Sequence, residues 1–110
     1  MDILSVSLES AGPLDILNVQ GEIDLASAQK LRSSLDDVIG NGRQIIVKLN
    51  EVTYTEACGV RVLAEAYARA KSLNQNFALV APSAMMRRVL KMMALDQTIP
   101  IFDSIKNASA

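Results

Sequence analysis

The run Ile45-Ile46-Val47 constrains this chain more than any other feature. Three adjacent β-branched apolar residues leave no side of a strand for water. The strand expected over Gln44 to Leu49 is therefore fully buried. It leads, through a short junction at residues 50–56, into a segment with helical periodicity from about Ala57 to Ser72. A buried strand followed at once by an amphipathic helix predicts a layered α/β arrangement.

The remaining periodicity agrees. Leu4, Val6 and Leu8 alternate with polar neighbours over 3–9, which predicts a half-buried strand. Ser10-Ala11-Gly12-Pro13 reads as a turn, and Leu14 to Gln20 as a second strand, giving an antiparallel hairpin. Gly21-Glu22-Ile23-Asp24 breaks the alternation. Ala28, Leu31, Leu35, Val38 and Ile39 then recur at helical spacing, capped by Asp24 or Ser27 and ended by Gly40-Asn41-Gly42.

In the 57–72 helix the expected apolar face is Val60, Leu63, Tyr67 and Ala70. Arg61, Glu65 and Arg69 lie opposite, with Glu65 to Arg69 in the favourable order for an ion pair. Phe77 to Val80 is a core strand. Ala84 to Met93 is a helix with Met86, Val89, Leu90 and Met93 inward, and Ile99 to Phe102 a last short strand. The tail 103–110 predicts one helical turn that then frays. Helices of these lengths between strands imply parallel pairing through right-handed crossovers. The expected class is α/β: a small mixed sheet, with an N-terminal antiparallel hairpin and then parallel strands, covered by amphipathic helices in one domain over 1–110.

Composition narrows the chemistry. The 110 residues suffice for one compact domain, and half of them are apolar. The net charge of −1 and the scattered Lys and Arg provide no basic stripe, so nucleic acid is not an expected partner. There is no histidine and one cysteine, Cys58. That removes Ser-His and Cys-His catalysis, thiolate zinc cages and internal disulfides. No Gly-rich phosphate loop of the P-loop type is present. No catalytic residue, metal ligand or cofactor is expected. No apolar run reaches membrane-span length, and Met1-Asp2-Ile3-Leu4 lacks the pattern of a signal peptide, which places the protein in the cytoplasm without direct membrane insertion.

Three segments together carry a resemblance: Gly21-Glu22-Ile23-Asp24; Val52-Thr53-Tyr54-Thr55-Glu56-Ala57-Cys58-Gly59-Val60-Arg61-Val62-Leu63; and Ser83 to Leu95 followed by Ile99-Pro100-Ile101-Phe102-Asp103-Ser104. In this order the chain resembles the STAS domain of bacterial anti-sigma factor antagonists over nearly its whole length. The resemblance implies a non-enzymatic regulator. Its expected partner is a GHKL-type anti-sigma factor that is also a serine kinase, and which phosphorylates the serine just after the motif's Asp. It implies partner contacts at Gly21, Glu22, Asp24, Glu56, Cys58, Gly59, Val60 and Arg61. A homodimer is left open.

The departures are specific. Glu56 stands at the motif's Asp and Ala57 at the phosphoacceptor serine. Cys58 replaces Ser/Thr, Arg61 a Gly, Lys48 an Asp/Asn and Ala94 a Gly, so the turn at 94 is expected to differ locally. Alanine has no oxygen to phosphorylate, so the expected switch is locked in its unphosphorylated state.

Each residue also has a plainer role. Asp24 is equally a helix cap and Glu22 merely exposed. Glu56 is a carboxylate favoured at a helix N-terminus, an effect of roughly 0.3–1 kcal/mol. Cys58 has two readings, a redox-sensitive thiol at a helix N-terminus and, more simply, a small partly buried hydrophobe replacing serine. Thr53 and Thr55 are alternative phosphoacceptors, with Thr55 also a candidate cap. Among Met85, Met86, Met92 and Met93, some must face outward, and Arg87-Arg88 reads as a solvated face. A second functional reading stands beside the first: an accessory STAS subunit of an ABC-type transporter ATPase or of a larger stress-sensing complex. A small enzyme is a third, with no constellation to support it.

Overall fold

The computed structural model describes residues 3–109. Its order is β1 (Leu4–Ala11), β2 (Leu14–Ile23), α1 (Leu25–Val38), β3 (Gln44–Thr55), α2 (Ala57–Ser72), β4 (Phe77–Val80), α3 (Ala84–Met92), a 3-10 turn (Leu95–Gln97), β5 (Ile101–Phe102) and α4 (Ile105–Ser109). The five strands lie in sequence order in one sheet. β1 and β2 are antiparallel, and β2–β3, β3–β4 and β4–β5 are parallel. The mixed α/β architecture is the one expected.

Ile45, Ile46 and Val47 are each fully buried. Ile45 and Val47 join the main core under α1, α2 and α3, with Leu31, Leu35, Leu63 and Met86. Ile46 faces a second, smaller cluster with Ile16, Ala78, Val80 and Ala108. Ala108 belongs to α4, so the tail forms a helix that covers part of the sheet's back. Its Ala108 carbonyl accepts a hydrogen bond from Gln44 Nε2 at 2.9 Å.

The hairpin turn is tighter than expected: only Gly12-Pro13 lies between the paired residues Ala11 and Leu14. Gly12 has φ +56°, and the proline ring holds the next residue at negative φ. That combination fits a type II′ turn and excludes type I′. Leu8 does not follow Leu4 and Val6 into the core. It is 52% exposed, whereas Leu4 is buried.

β2 and β3 are longer than their apolar runs. β2 continues through Gly21-Glu22-Ile23, and β3 continues to Thr55. Two register shifts, between Asn18 and Gln20 and between Gly21 and Glu22, each give β3 one extra residue. The shifts allow both Leu49 and Val52, three apart, to face the main core.

At the pole formed by the β1–β2 turn and the start of β3, a buried polar network closes the fold. Asp15 accepts from Ser10 Oγ (2.8 Å), Asn41 Nδ2 (2.7 Å) and Arg43 Nε (2.8 Å). Buried Gln75 donates to the carbonyls of Val38 and Arg43 and accepts from Gly40 N–H. This network pins the α1–β3 connection, Ile39-Gly40-Asn41-Gly42-Arg43, whose one apolar anchor is Ile39. Burial pushes the Asp15 carboxyl up, but the bonds from Asn41, Ser10 and Arg43, with the Arg43 charge, more than offset it and hold it below 3.8.

Two local expectations are corrected. Glu65 does not pair with Arg69. Instead Arg32 of α1 reaches Glu65 at 2.8 Å, and Asp36 of α1 binds Arg69. The helices pack side by side, so a partner on the neighbouring helix is nearer than one a turn away. The turn at Ala94 is not rerouted either. Ala94 adopts the left-handed conformation at φ +59° and bears the strain. Ile99 is buried but lies before β5 and bonds back to Leu95.

Two outcomes follow for stability. Ala94→Gly relieves a left-handed Cβ and raises stability by about 1 kcal/mol, read as a higher urea midpoint at unchanged slope. Asp15 has a lowered folded pKa, so its contribution is present above the ordinary value of 3.8 and is lost as pH falls through the folded value. Asp15→Asn is expected to flatten the fall in stability between pH 5 and pH 2, and to cost about 1–3 kcal/mol at neutral pH.

Candidate partner-docking site

The site lies at the other pole, where β2 and β3 end and α1 and α2 begin. Glu22 pairs in register with Tyr54, and Ile23 with Thr55. The two strands then release their chains into the two helices. Glu56 N–H donates to the Ile23 carbonyl at 2.9 Å, which ties the start of α2 to the end of β2.

Asp24 caps α1. Its Oδ1 accepts from Ser27 N–H at 2.8 Å, and Ser27 Oγ accepts from Asp24 N–H at 2.8 Å. This reciprocal capping box satisfies two backbone donors at once. The Ser27 backbone N–H, then its hydroxyl, hold the Asp24 carboxyl below its ordinary value. Asp24 and Ser27, each expected as a candidate cap, therefore act together.

Glu56 is the N-cap residue of α2 by backbone, but its side chain makes no capping bond. Thr55 does not cap the helix either. It is buried, and its hydroxyl donates to the Glu56 carbonyl at 2.9 Å. Burial also removes it as an accessible phosphoacceptor. Thr53 is exposed, with its hydroxyl 3.3 Å from the Gly21 carbonyl.

Ala57 is the first residue of α2 and is exposed. Its methyl group stands at a helix N-terminus whose first turn has no side-chain cap. Arg61 is exposed one turn further on, and makes no salt bridge among the described residues. Cys58 is half-buried and packs against the main core.

Two expected contact residues lie beneath the surface rather than on it, and a third, Gly21, is half-buried. Val60 is fully buried, and Gly59 is buried too. A Cβ at Gly59 would lie 2.5 Å from Thr55 Oγ1 and 2.6 Å from Ile23 Cγ2, so only glycine lets α2 sit this close to the strand ends. Gly21 has φ +108°, and a Cβ there would lie 2.1 Å from the Ile3 carbonyl oxygen. These residues shape the site from below. Gly21, Glu22, Asp24, Glu56, Ala57, Cys58 and Arg61 provide what is at least partly open to solvent.

Two residues of this pole were missed. Leu25, the first residue of α1, is 74% exposed, and Tyr54 is 47% exposed. The register shift beside Tyr54 turns it outward, and that shift has no signature in the sequence. Leu25 follows a residue already read as a cap, and a large apolar side chain in that place is the signal that was available. Among the described residues, no group of three His, Cys, Asp or Glu side chains could hold a metal ion. A cleft of about 330 Å³ lies elsewhere, beside α4, lined by Gln44, Phe77, Pro100, Phe102 and Ala108.

Fold and site together define a small mixed-sheet α/β domain with an exposed, partly apolar pole at the start of two helices. The model of the STAS domain family matches residues 5–108, and the chain belongs to that family. The anti-sigma-F factor antagonist RsfB of Mycobacterium tuberculosis is 27% identical over 110 residues, spanning 97% of this chain and 88% of RsfB. A crystal structure of an anti-sigma factor antagonist from Mycobacterium paratuberculosis superposes with a TM-score of 0.86 at 24% identity, covering 96% of this chain and 91% of that one. The Bacillus cell fate determinant SpoIIAA gives 0.80 in its unphosphorylated form, with 96% and 93% covered, and 0.74 in its phosphorylated form, with 96% of each, both at 18% identity. Among the described residues no helix is long and apolar enough to cross a membrane.

Gly59→Ala tests the close approach. The added methyl must displace Ile23 or Thr55, so a loss of about 1–3 kcal/mol is expected, read by urea unfolding. An exposed-site change such as Arg61→Ala should stay within about 0.5 kcal/mol of wild type in the same assay.

Proposed function

We propose that this chain is a non-enzymatic anti-sigma factor antagonist that docks its partner through the α1/α2 pole and holds that surface permanently in its unmodified form. The observation that carries the reading is Ala57: exposed, first in α2, and without a hydroxyl. A phosphate at this position would add nearly two negative charges at a helix N-terminus and change both shape and field. A methyl group does neither. The kinship with RsfB supports the antagonist role, and SpoIIAA supports the idea that relatives of this fold exist in two phosphorylation states.

The partner we propose is a GHKL-type anti-sigma factor and serine kinase in the cytoplasm, bound by the chain acting as one domain over 1–110. Leu25 and Tyr54 supply the apolar centre of the contact. Glu22, Glu56 and Arg61 supply charges at its rim, with the half-buried Cys58 packed between. Large side chains that are exposed in the free protein and buried in a complex are where binding energy concentrates. Arg61 sets partner choice, because a long cation attracts an acidic counterpart and excludes a basic one.

Recovery of a GHKL-type protein from native cells on the immobilised chain is the expected result. Recovery of a transporter ATPase or a large scaffold instead would overturn the assignment. With the kinase in hand, wild-type protein incubated with ATP should take up no label, and Ala57→Ser should be labelled. Ala57→Glu places a charge in the contact and should weaken binding by a few kcal/mol where it is desolvated. Tyr54→Ala should weaken binding about tenfold or more without changing the unfolding midpoint.

A further inference from the structure

Among the described residues, the edge strand β1 is covered only at its Leu4 end. Ile3 carbonyl accepts from Glu22 N–H on the β2 side, and Ala11 pairs with Leu14 at the turn. The backbone groups of odd-numbered residues therefore face β2, and those of even-numbered residues face outward. The Leu4 carbonyl, on the outward side, is taken by Lys30 Nζ at 2.9 Å. Val6, Leu8 and Ser10 present their N–H and C=O groups along a free edge.

Natural sheets blunt such edges with lysine, proline, bulges or brevity. β5 is two residues long. The β2–β3 register is shifted twice where β3 runs past the end of β4. Beyond the Lys30 bond to the Leu4 carbonyl, β1 uses none of these devices. Its eight residues, LSVSLESA, contain no proline and no basic residue, and their pairing with β2 is unbroken. Its one large exposed apolar side chain, Leu8, lies on the same face as buried Leu4, just where the cover ends.

We propose that two copies pair antiparallel through β1, with the two-fold axis at Leu8, to form one continuous sheet. In this register Leu8 faces Leu8 of the second copy, and Val6 faces Ser10. All three positions have outward backbone groups, so the contact forms about six backbone hydrogen bonds and covers both exposed leucines. Glu9 falls opposite Ser7 rather than opposite the other Glu9. The alternative axis at Ser7 would pair Leu4 with Ser10 and require Lys30 to release the Leu4 carbonyl. Leu8 pairs with Leu17 in β2, six residues before Ile23, or about 20 Å along the strand. The two-fold axis therefore lies away from the docking pole, and the turn at Gly12 of the second copy comes opposite Leu4, one strand from Gly21.

The test is sedimentation of the full chain from 1 to 200 µM. Dimer is the expected species at the upper end, and Leu8→Lys should be monomeric with an unchanged circular dichroism spectrum and melting temperature. The register is read separately in a Cys58→Ser background. Ser7→Cys and Glu9→Cys protein should form a disulfide-linked dimer when mixed, because they face each other in a non-hydrogen-bonded pair, and neither should do so alone. A chain that stays monomeric throughout, a dimer indifferent to Leu8→Lys, or cross-linking of Ser7→Cys to itself would each overturn the proposal. So would a monomer that takes a strand of a different protein at this edge.

Discussion

The contact of Gly59 with Ile23 and Thr55 is the constraint on which the functional pole depends. It lets the first turn of α2 settle on the ends of two parallel strands with no side chain between. The hydrogen bond from Glu56 N–H to the Ile23 carbonyl fixes the same junction from the other side. Together they leave Ala57 no path but outward. A residue at the start of a helix, held by a strand–helix seam this tight, is displayed in one orientation. That is what a switch position needs, whether or not it switches.

The rest of the molecule supplies rigidity to that seam. β3 runs the full length of the domain, pairing with β4 in its first half and with β2 alone in its second. The first half is buried in two clusters. The second half carries Val52 inward and Tyr54 outward to the pole. At the far end, the network of Asp15, Asn41, Arg43 and Gln75 closes connections that have little apolar anchoring beyond Ile39. Stability and display are thereby separated along one strand, and a polar face at the pole does not weaken the core beneath it.

Much of this was legible in the sequence because it follows from period and composition. Ile45-Ile46-Val47 announced a fully buried strand, and the spacing of Ala28, Leu31, Leu35 and Val38 announced α1. α2 and β4 have the bounds that their patterns predict. The extensions of β2 and β3 were hidden because register shifts break alternation, so a paired ribbon there reads as a loop. Leu8 misled because alternation states which face a residue is on and not whether anything covers that face. Val60 and Gly59 sit in a motif that marks the site, yet motif membership does not separate the residues that shape a surface from those that form it. The ion pairs of Glu65 and Arg69 depended on a neighbouring helix, which a helical wheel does not contain.

The central claim is that the displayed position at the mouth of α2 is chemically silent in the cell. Phosphopeptide mapping of the protein isolated from its native cells, in both its partner-bound and its free fractions, tests it most directly. The account predicts no phosphate anywhere on residues 52–63. Stoichiometric phosphate on Thr53, with loss of the partner, would contradict it.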